Sequence, residues 1–476
     1  MTKTYATWFR SDFRLEDHAA LYHCLETTKH EDGKWFAFFH LDPSFTEEID
    51  LHHDYFFQTL AFFKDTCEEK GIHLHIVYGG LEEALERVIN NIPALHTVFF
   101  NRDDAGENSE RDEDAIHILE NNNINAYAYE DAHLHGPNEI TKQDGTPYKV
   151  FTPYFKAWSK HEKPRSYQVA QEALLHFQSE LEPIHKKGET FFKDEVLPRC
   201  EHTWKGIGRT EALDRLETFV DERLAYYKDE RDIPRKAATS RLSPYLKTGV
   251  LSPREVFHSA AARREDAGTG AETYLSELAW RDFYYMIHAH HPKSKDKELT
   301  EKYTSLNWGQ DKDRFEAWKN GRTGFPIVDA GMRQLKEIGW MHNRLRMITA
   351  SFLTKDYLID WRLGERYFQT KLIDYDASSN IGGWQWAASV GTDAVPYFRV
   401  FNPTTQGKRF DPNGEFIRKY VPELSDVPDK YIHEPLKMPD HIQDEANCRI
   451  GKDYPEPTVD HGTQRKKAIE MFKGEG

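Results

Sequence analysis

Short runs of apolar and aromatic residues alternate with longer helical stretches over residues 1–130. The runs Tyr5–Phe9, Trp35–Leu41, Ile72–Tyr78 and Thr97–Phe100 read as strands, and Tyr55–Glu69 and Leu81–Ile89 as helices between them. This β-α-β-α alternation predicts a parallel sheet covered by helices, a Rossmann-like α/β domain. Ligands in such folds sit at the C-terminal ends of the strands. No G-x-G-x-x-G follows the first strand, so the ordinary dinucleotide fingerprint is missing. Over 131–208 the pattern weakens at Gly136-Pro137, Asp144-Gly145, Pro147, Pro153, Pro164 and Pro183, which suits a long interdomain linker. From there to the C-terminus the periodicity is helical, with no convincing strand. The expected architecture is an α/β domain over 1–130, a linker over 131–208 and a large all-helical domain over 209–476.

Composition narrows the class. A chain of 476 residues with 38% hydrophobic and 30% charged positions is soluble and globular, with room for two or three domains. Aromatics reach 13%, with 11 Trp, 23 Tyr and 29 Phe, which asks for a reason beyond filling a core. No run of about eighteen apolar residues predicts a membrane span, and the N-terminus has no apolar signal core. The four cysteines (Cys24, Cys67, Cys200, Cys448) are scattered, which leaves neither a disulfide framework nor a CxxC site. A cytoplasmic, reduced protein is expected. The histidines His52, His53, His73, His75, His290 and His291 show no nearby cysteine or acid partner in the sequence, so no metal is expected.

A net charge of −16 argues on its face against nucleic acid. Phosphate binding depends on local basic surface, however. Such density occurs at Arg231, Arg235, Lys236, Arg241, Lys247 and Arg254, and again at Arg333, Lys336, Arg344 and Arg346. A solvated, salt-bridged surface is the competing reading of the same residues.

Four segments of the helical region carry candidate chemistry. In Thr239-Ser240-Arg241-Leu242-Ser243-Pro244-Tyr245, Ser243 can cap a helix that Pro244 opens and Gly249 ends, and Ser252-Pro253-Arg254-Glu255 then reads as a capping box. Hydroxyls, an arginine and helix N–H groups there suit a pyrophosphate, or only their own helices. In the second segment Glu277, Trp280, Arg281 and Tyr284 share one helical face. That face suits stacking on a base and bonding its edge, or an amphipathic helix against an aromatic core. In the third, Asn343, Arg346 and Met347 share a face while Arg344 points elsewhere, which sets an amide beside a polarizable thioether. The fourth, Leu372–Ser389, combines Asp374, Asp376, Asn380, Gly382, Gly383, Trp384 and Trp386. Its paired glycines cost roughly 1 kcal/mol each in a helix, which points to close approach at the backbone.

At these segments the sequence resembles the photolyase/cryptochrome family, in particular class I cyclobutane pyrimidine dimer photolyases. The likeness begins at Trp8-Phe9-Arg10-Ser-Asp-Phe-Arg-Leu15 and is densest from Thr239 to Gln406. It implies an N-terminal antenna domain and a helical domain that cradles FAD. Tyr227, Thr239, Ser240, Arg241, Leu242 and Ser243 match the family's contacts to the phosphates and ribityl chain. Asp374, Tyr375 and Asp376 fall in the flavin- and adenosine-binding segment, with Arg346 expected to pair with Asp374. Asn380 matches the residue facing the flavin N5, where an amide oxygen favours a reduced flavin. Trp384, Trp361 and Trp308 match a tryptophan chain from flavin to surface.

On the DNA side Glu277, Trp280, Asn343, Met347 and Trp386 match the dimer pocket, with Tyr284 on the same helical face as Trp280. Arg231, Arg344 and Gln406 match contacts to the DNA backbone or flanking nucleotides. The resemblance implies light-dependent repair of cyclobutane pyrimidine dimers in UV-damaged DNA by electron transfer from excited reduced FAD, by a monomer. The antenna site matches less closely: Glu107-Asn108 stands in reversed order to the Asn-Glu pair of folate-binding relatives. Methenyltetrahydrofolate is the first expectation, a deazaflavin or second flavin the alternative. The rival functions are a cryptochrome, which Asn380 disfavours, and a (6-4) photolyase, whose histidine pair is absent because the matching segment offers only His342.

Overall fold

The computed structural model describes residues 2–103 and 105–474. The N-terminal part carries a five-stranded parallel sheet of β1 (Thr4–Phe9), β2 (Lys34–Leu41), β3 (Leu74–Tyr78), β4 (Leu95–Asn101) and β5 (Asn125–Tyr129) in the order β3-β2-β1-β4-β5. Every residue of β1 is buried, the expected pattern for a central strand covered on both faces. Its register pairs Tyr5 with Trp35 on one side and with Thr97 on the other. The four expected strands are present with ends shifted by a residue or two. β5 was not anticipated: its run Asn-Ala-Tyr-Ala-Tyr lies at the sheet edge and stays partly exposed, so it lacks a strong apolar signature. The helices Ala19–His30 and Glu107–Asn121 were likewise not anticipated.

Compactness divides the chain into two units whose limits differ from the sequence-derived ones. The first comprises Met1–Tyr148, Thr152–Ala225 and Ser240–His290; the second comprises Lys149–Phe151, Tyr226–Thr239 and His291–Gly476. Within the first, part of 131–208 is integrated rather than a bare connection. It holds the helices Phe151–Lys160, Gln171–Phe177 and Lys186–Phe191. Gln178 bridges to Trp35 at the stretch of β2 that β3 does not reach, and Trp35 Nε1 donates to the Leu174 carbonyl at 2.8 Å.

The segment 240–290 is also fixed within this first unit. Arg254 Nε reaches Asp17 at 2.9 Å, its Nη2 reaches Asp131 at 2.6 Å, and Arg14 pairs with Asp131. The capping box at Ser252 and Glu255 forms as expected. Ser243 does not cap: Leu242 occupies the N-cap position without a side-chain bond, and Ser243 is the first residue of the helix Ser243–Lys247.

The second unit is helical around one core that includes Trp318, Met341, Leu345, Trp361, Phe368 and Trp384. The helix Ala377–Ala388 is capped by Asp376, which accepts from Ser379 N at 2.8 Å, and ends at Ser389 in a left-handed conformation. It packs on Trp361–Lys371, which Asp360 caps. Gly364 makes that approach possible, because a Cβ there would lie 2.1 Å from the Trp384 ring. Among the described residues no helix is long and apolar enough to cross a membrane.

Candidate active site

The fourth sequence segment folds into a polar cluster within the second unit. Arg346 Nη2 reaches both Asp374 oxygens, at 2.8 and 3.1 Å, and its Nε donates to the Met341 carbonyl at 2.8 Å. The expected Arg346–Asp374 pair is therefore present. One turn into the Ala377–Ala388 helix, Asn380 Nδ2 donates to Glu365 Oε1 at 3.0 Å and to the Glu365 carbonyl at 3.2 Å. The same Oε1 accepts from Tyr375 Oη at 3.1 Å. With its NH2 group committed to Glu365, the Asn380 amide has a set orientation that leaves Oδ1 as its remaining acceptor. Glu365 is buried; burial raises its pKa, and the bonds from Asn380 and Tyr375 oppose that rise without cancelling it.

Glu365, which orients Asn380, was not singled out in the sequence; its only signal is position, on the helix packed against that of Asn380.

The chemistry of these residues suits a flavin. A flavin edge presents alternating donors and acceptors, and here an oriented amide oxygen, a carboxylate and a guanidinium lie on neighbouring elements. Gly383 adds a second observation. Apart from its chain neighbours and the backbone of its own helix, no described atom lies within 4 Å of where its Cβ would stand, so packing against other elements does not explain a glycine inside this helix.

Other expected contacts are placed as follows. Tyr227 is buried with the Arg231 guanidinium 5.7 Å from its ring, and Thr239 is half-buried. In the first unit Tyr274 Oη donates to Ser240 Oγ at 3.2 Å, Arg241 has a positive φ of 51°, and Leu242 is buried. Asp376 acts as a helix cap.

The second segment forms part of the helix Arg264–His290 in the first unit. Glu277, Trp280 and Tyr284 share a half-exposed face, with Trp280 stacked on Tyr284 at 5.5 Å. Arg281 does not join them, because its Nη1 is bonded to the Ala132 carbonyl. In the second unit Asn343 and Met347 meet at 3.9 Å, as the helical spacing predicts. Trp386 lies half-buried near Phe401, and Gln406 Oε1 is buried without a hydrogen-bond partner among the described residues.

The basic stretches are largely neutralised. Arg344 bonds Asp232 at 2.7 Å and lies over the Phe410 ring, Arg333 bonds Glu423, Arg235 bonds Glu415, and Lys236 bonds Glu230. Arg254 is buried among acids. The salt-bridged reading thus describes most of these residues.

A small cleft open to solvent lies where the strand order turns about β1, at the C-terminal ends of β1 and β4. Arg10, Asp12, Arg14, Asn101 and Asp131 line it. Of the antenna residues, the Glu107 side chain lies outside the described residues, and Asn108 is half-buried in the first turn of its helix.

The metal expectation needs one correction of detail. Glu189 supplies an acid beside His73, at 2.9 Å, and His75, at 4.0 Å. Burial pushes the His75 pKa down to about 3. Its Nδ1 already accepts from Ile184 N at 3.3 Å, so the lone pair a metal would use is engaged.

Comparison with known proteins gives this geometry its family. A profile of the DNA photolyase domain matches residues 5–173, and one of the FAD binding domain of DNA photolyase matches residues 274–474. The chain is 53% identical to a deoxyribodipyrimidine photo-lyase of Alkalihalophilus pseudofirmus over 99% of its length and 98% of the relative's. Identity to the Escherichia coli photo-lyase is 35%, covering 99% of this chain and 98% of that one. Among solved structures, a bacterial class III photolyase from Agrobacterium tumefaciens aligns with a TM-score of 0.89 at 33% identity, covering 100% of this chain and 98% of that one. The Synechocystis cryptochrome aligns at 0.88 and 26%, covering 99% of each chain. An archaeal photolyase from Sulfolobus tokodaii, solved with two FAD molecules, aligns at 0.78 and 30%, covering 99% of this chain and 100% of that one. The chain belongs to the photolyase/cryptochrome family. Within it, the chain is an enzyme of the deoxyribodipyrimidine photo-lyase type, an FAD-dependent lyase of DNA repair.

Proposed function

We propose that the chain repairs cyclobutane pyrimidine dimers in UV-damaged DNA under blue light. Bound FAD in its reduced state would supply the electron. The Arg346–Asp374 pair and Tyr375 hold the ring edge, and Tyr227, Thr239, Ser240, Arg241, Leu242, Ser243 and Asp376 bind the rest of the cofactor. The observation that carries the reading is the Asn380 amide, oriented by Glu365 so that its oxygen accepts. An acceptor at that point favours a protonated ring nitrogen and hence the reduced cofactor.

Trp280 and Tyr284, stacked on each other, offer an aromatic surface to a flipped lesion, and Trp386 offers one in its own unit; flipping is a step general to enzymes that act on a base within a duplex. Glu277, with Asn343 and Met347, meets the carbonyl edge. Arg231, Arg344 and Gln406 meet the flanking strand. Trp384, Trp361 and Trp308 relay electrons inward from the surface. The functional division remains 1–130 for an antenna, 131–208 for the connection and 209–476 for catalysis, in a monomer. Glu107 and Asn108 suit methenyltetrahydrofolate as antenna; a second flavin is the alternative, since the Sulfolobus tokodaii relative was solved with two FAD molecules.

The test scores both lesions on one irradiated oligonucleotide with chemically pre-reduced protein. Thymines should return from cyclobutane dimers while (6-4) adducts persist. Repair of neither would favour a cryptochrome role, the reading raised by the Synechocystis relative. Repair of (6-4) adducts alone would overturn the pocket assignment.

A further inference from the structure

Glu298 ties together two indoles. Its side chain is 2% exposed, its Oε1 accepts from Trp308 Nε1 at 3.1 Å and from Trp361 Nε1 at 3.2 Å, and its Oε2 accepts from Arg362 at 2.7 Å. Arg362 is shared with the Asp360 carboxylate at 2.9 Å, so two carboxylates face one guanidinium and the cluster keeps a net negative charge. Trp384 has a different setting. Its Nε1 is buried with no acceptor among the described residues, and its ring is enclosed by Phe368 at 5.0 Å, Trp318 at 6.0 Å and the Gly364 backbone. Trp384 and Trp361 are both buried, and Trp308 is half-buried.

Oxidising an indole places positive charge on the ring and makes its N–H a stronger donor. A carboxylate accepting that N–H stabilises the oxidised ring, and the attraction is stronger where water is excluded. An indole in apolar surroundings without an acceptor has no such help.

We propose that Glu298 is a positioning and charge-stabilising residue of the tryptophan relay, making an electron vacancy more stable on Trp361 and Trp308 than on Trp384 and so driving it outward. The inference rests on the relay reading above. One electron passes from Trp361 to oxidised Trp384, then one from Trp308 to oxidised Trp361. No bond forms or breaks in either transfer, and both N–H protons stay shared with Glu298. An external thiol returns one electron to oxidised Trp308 and its proton to solvent, and two thiyl radicals so formed couple to a disulfide.

Glu298→Gln keeps the shape and an acceptor oxygen while removing the charge. In the flavin-loaded protein, the indole N–H resonances of Trp308 and Trp361, assigned with Trp308→Phe and Trp361→Phe, should both move while that of Trp384 stays. In transient absorption, the surviving yield of oxidised outer tryptophan should fall about tenfold, the weight of one charge-assisted hydrogen bond. Arg362→Gln removes the opposing charge and should raise that yield; it decides the matter if Glu298→Gln fails to retain flavin. Moved resonances with an unchanged yield would overturn the proposal, as would a fall in yield for Arg362→Gln. An unchanged yield in both Trp308→Phe and Trp361→Phe would instead overturn the relay reading itself.

Discussion

Arg346 and Asp374 hold each other through two contacts, with the carboxylate 2% exposed and the guanidinium 26%. The partly open arginine keeps donors available while the buried acid fixes its position. Asp374→Ala should leave that arginine without its counter-charge and lower flavin retention by about tenfold or more, as expected for a lost charge-assisted bond. Flavin per polypeptide after gel filtration measures this; full retention would show that the pair serves only the fold. Both members of this pair were expected from the family resemblance of their segments, not from spacing. Glu365 and Glu298 were not. A glutamate on a helix (Glu365) or in a connection (Glu298) looks like any solvated glutamate until the fold brings Asn380 or two indoles within 3.2 Å of it. Residue type and spacing reveal a side chain's own helical face, but not what another element sets against it.

At the scale of elements, local signals worked where one element determines its own boundary. The Ser252–Glu255 capping box formed as read, because both partners lie within one turn. Ser243 did not cap, because Leu242 takes the N-cap position, and Pro244 is the second residue of the helix rather than its first. Gly249 sits at φ 63°, and a Cβ there would lie 2.3 Å from the Ser11 carbonyl. Gly249→Ala therefore combines backbone strain with a clash against unyielding main chain. It should destabilise the protein by more than ~1 kcal/mol, the usual scale for such strain, read as a lowered midpoint in urea. The network that joins the Arg254 helix to the sheet was illegible, since Arg14, Asp17, Asp131 and Arg254 are far apart in sequence. Burial would raise the Asp131 pKa, but Arg14 and Arg254 outweigh it and hold the carboxyl well below its ordinary value. A depressed acid contributes stability that is present above its unfolded pKa, about 3.9, and lost as pH falls towards the folded value. Asp131→Asn should cost roughly 3–5 kcal/mol at neutral pH by leaving two buried arginines undercompensated. It should also flatten the acid limb of stability below about pH 4. Denaturant melts across pH check both, and an unchanged acid limb would assign that limb to other carboxylates.

For the molecule as a whole, the question is how a chain of net charge −16 engages a polyanion. The sequence alone permitted two basic stretches to meet phosphates. In the structure Arg235, Arg333, Arg344 and Lys236 are engaged by Glu415, Glu423, Asp232 and Glu230. A cation already paired with a carboxylate releases few DNA counterions unless it first gives up its partner, so few phosphates should be neutralised on binding. With about 0.9 counterions released per contact, two or three contacts give a slope of log affinity against log salt near −2 to −3. On the proposed reading, affinity then comes mainly from the lesion, through aromatic stacking worth roughly 1–3 kcal/mol per base, to which Trp280 is assigned. Undamaged duplex should bind weakly, and Trp280→Ala should weaken binding to dimer-containing DNA while leaving its salt slope unchanged. Binding titrations of damaged and undamaged oligonucleotides at several salt concentrations measure slope and preference together. A slope near −6 would show instead that the paired arginines exchange their carboxylates for phosphates when DNA arrives. In that case Asp232→Asn, which releases Arg344, should tighten binding to both DNAs alike, because a phosphate contact carries no information about the lesion.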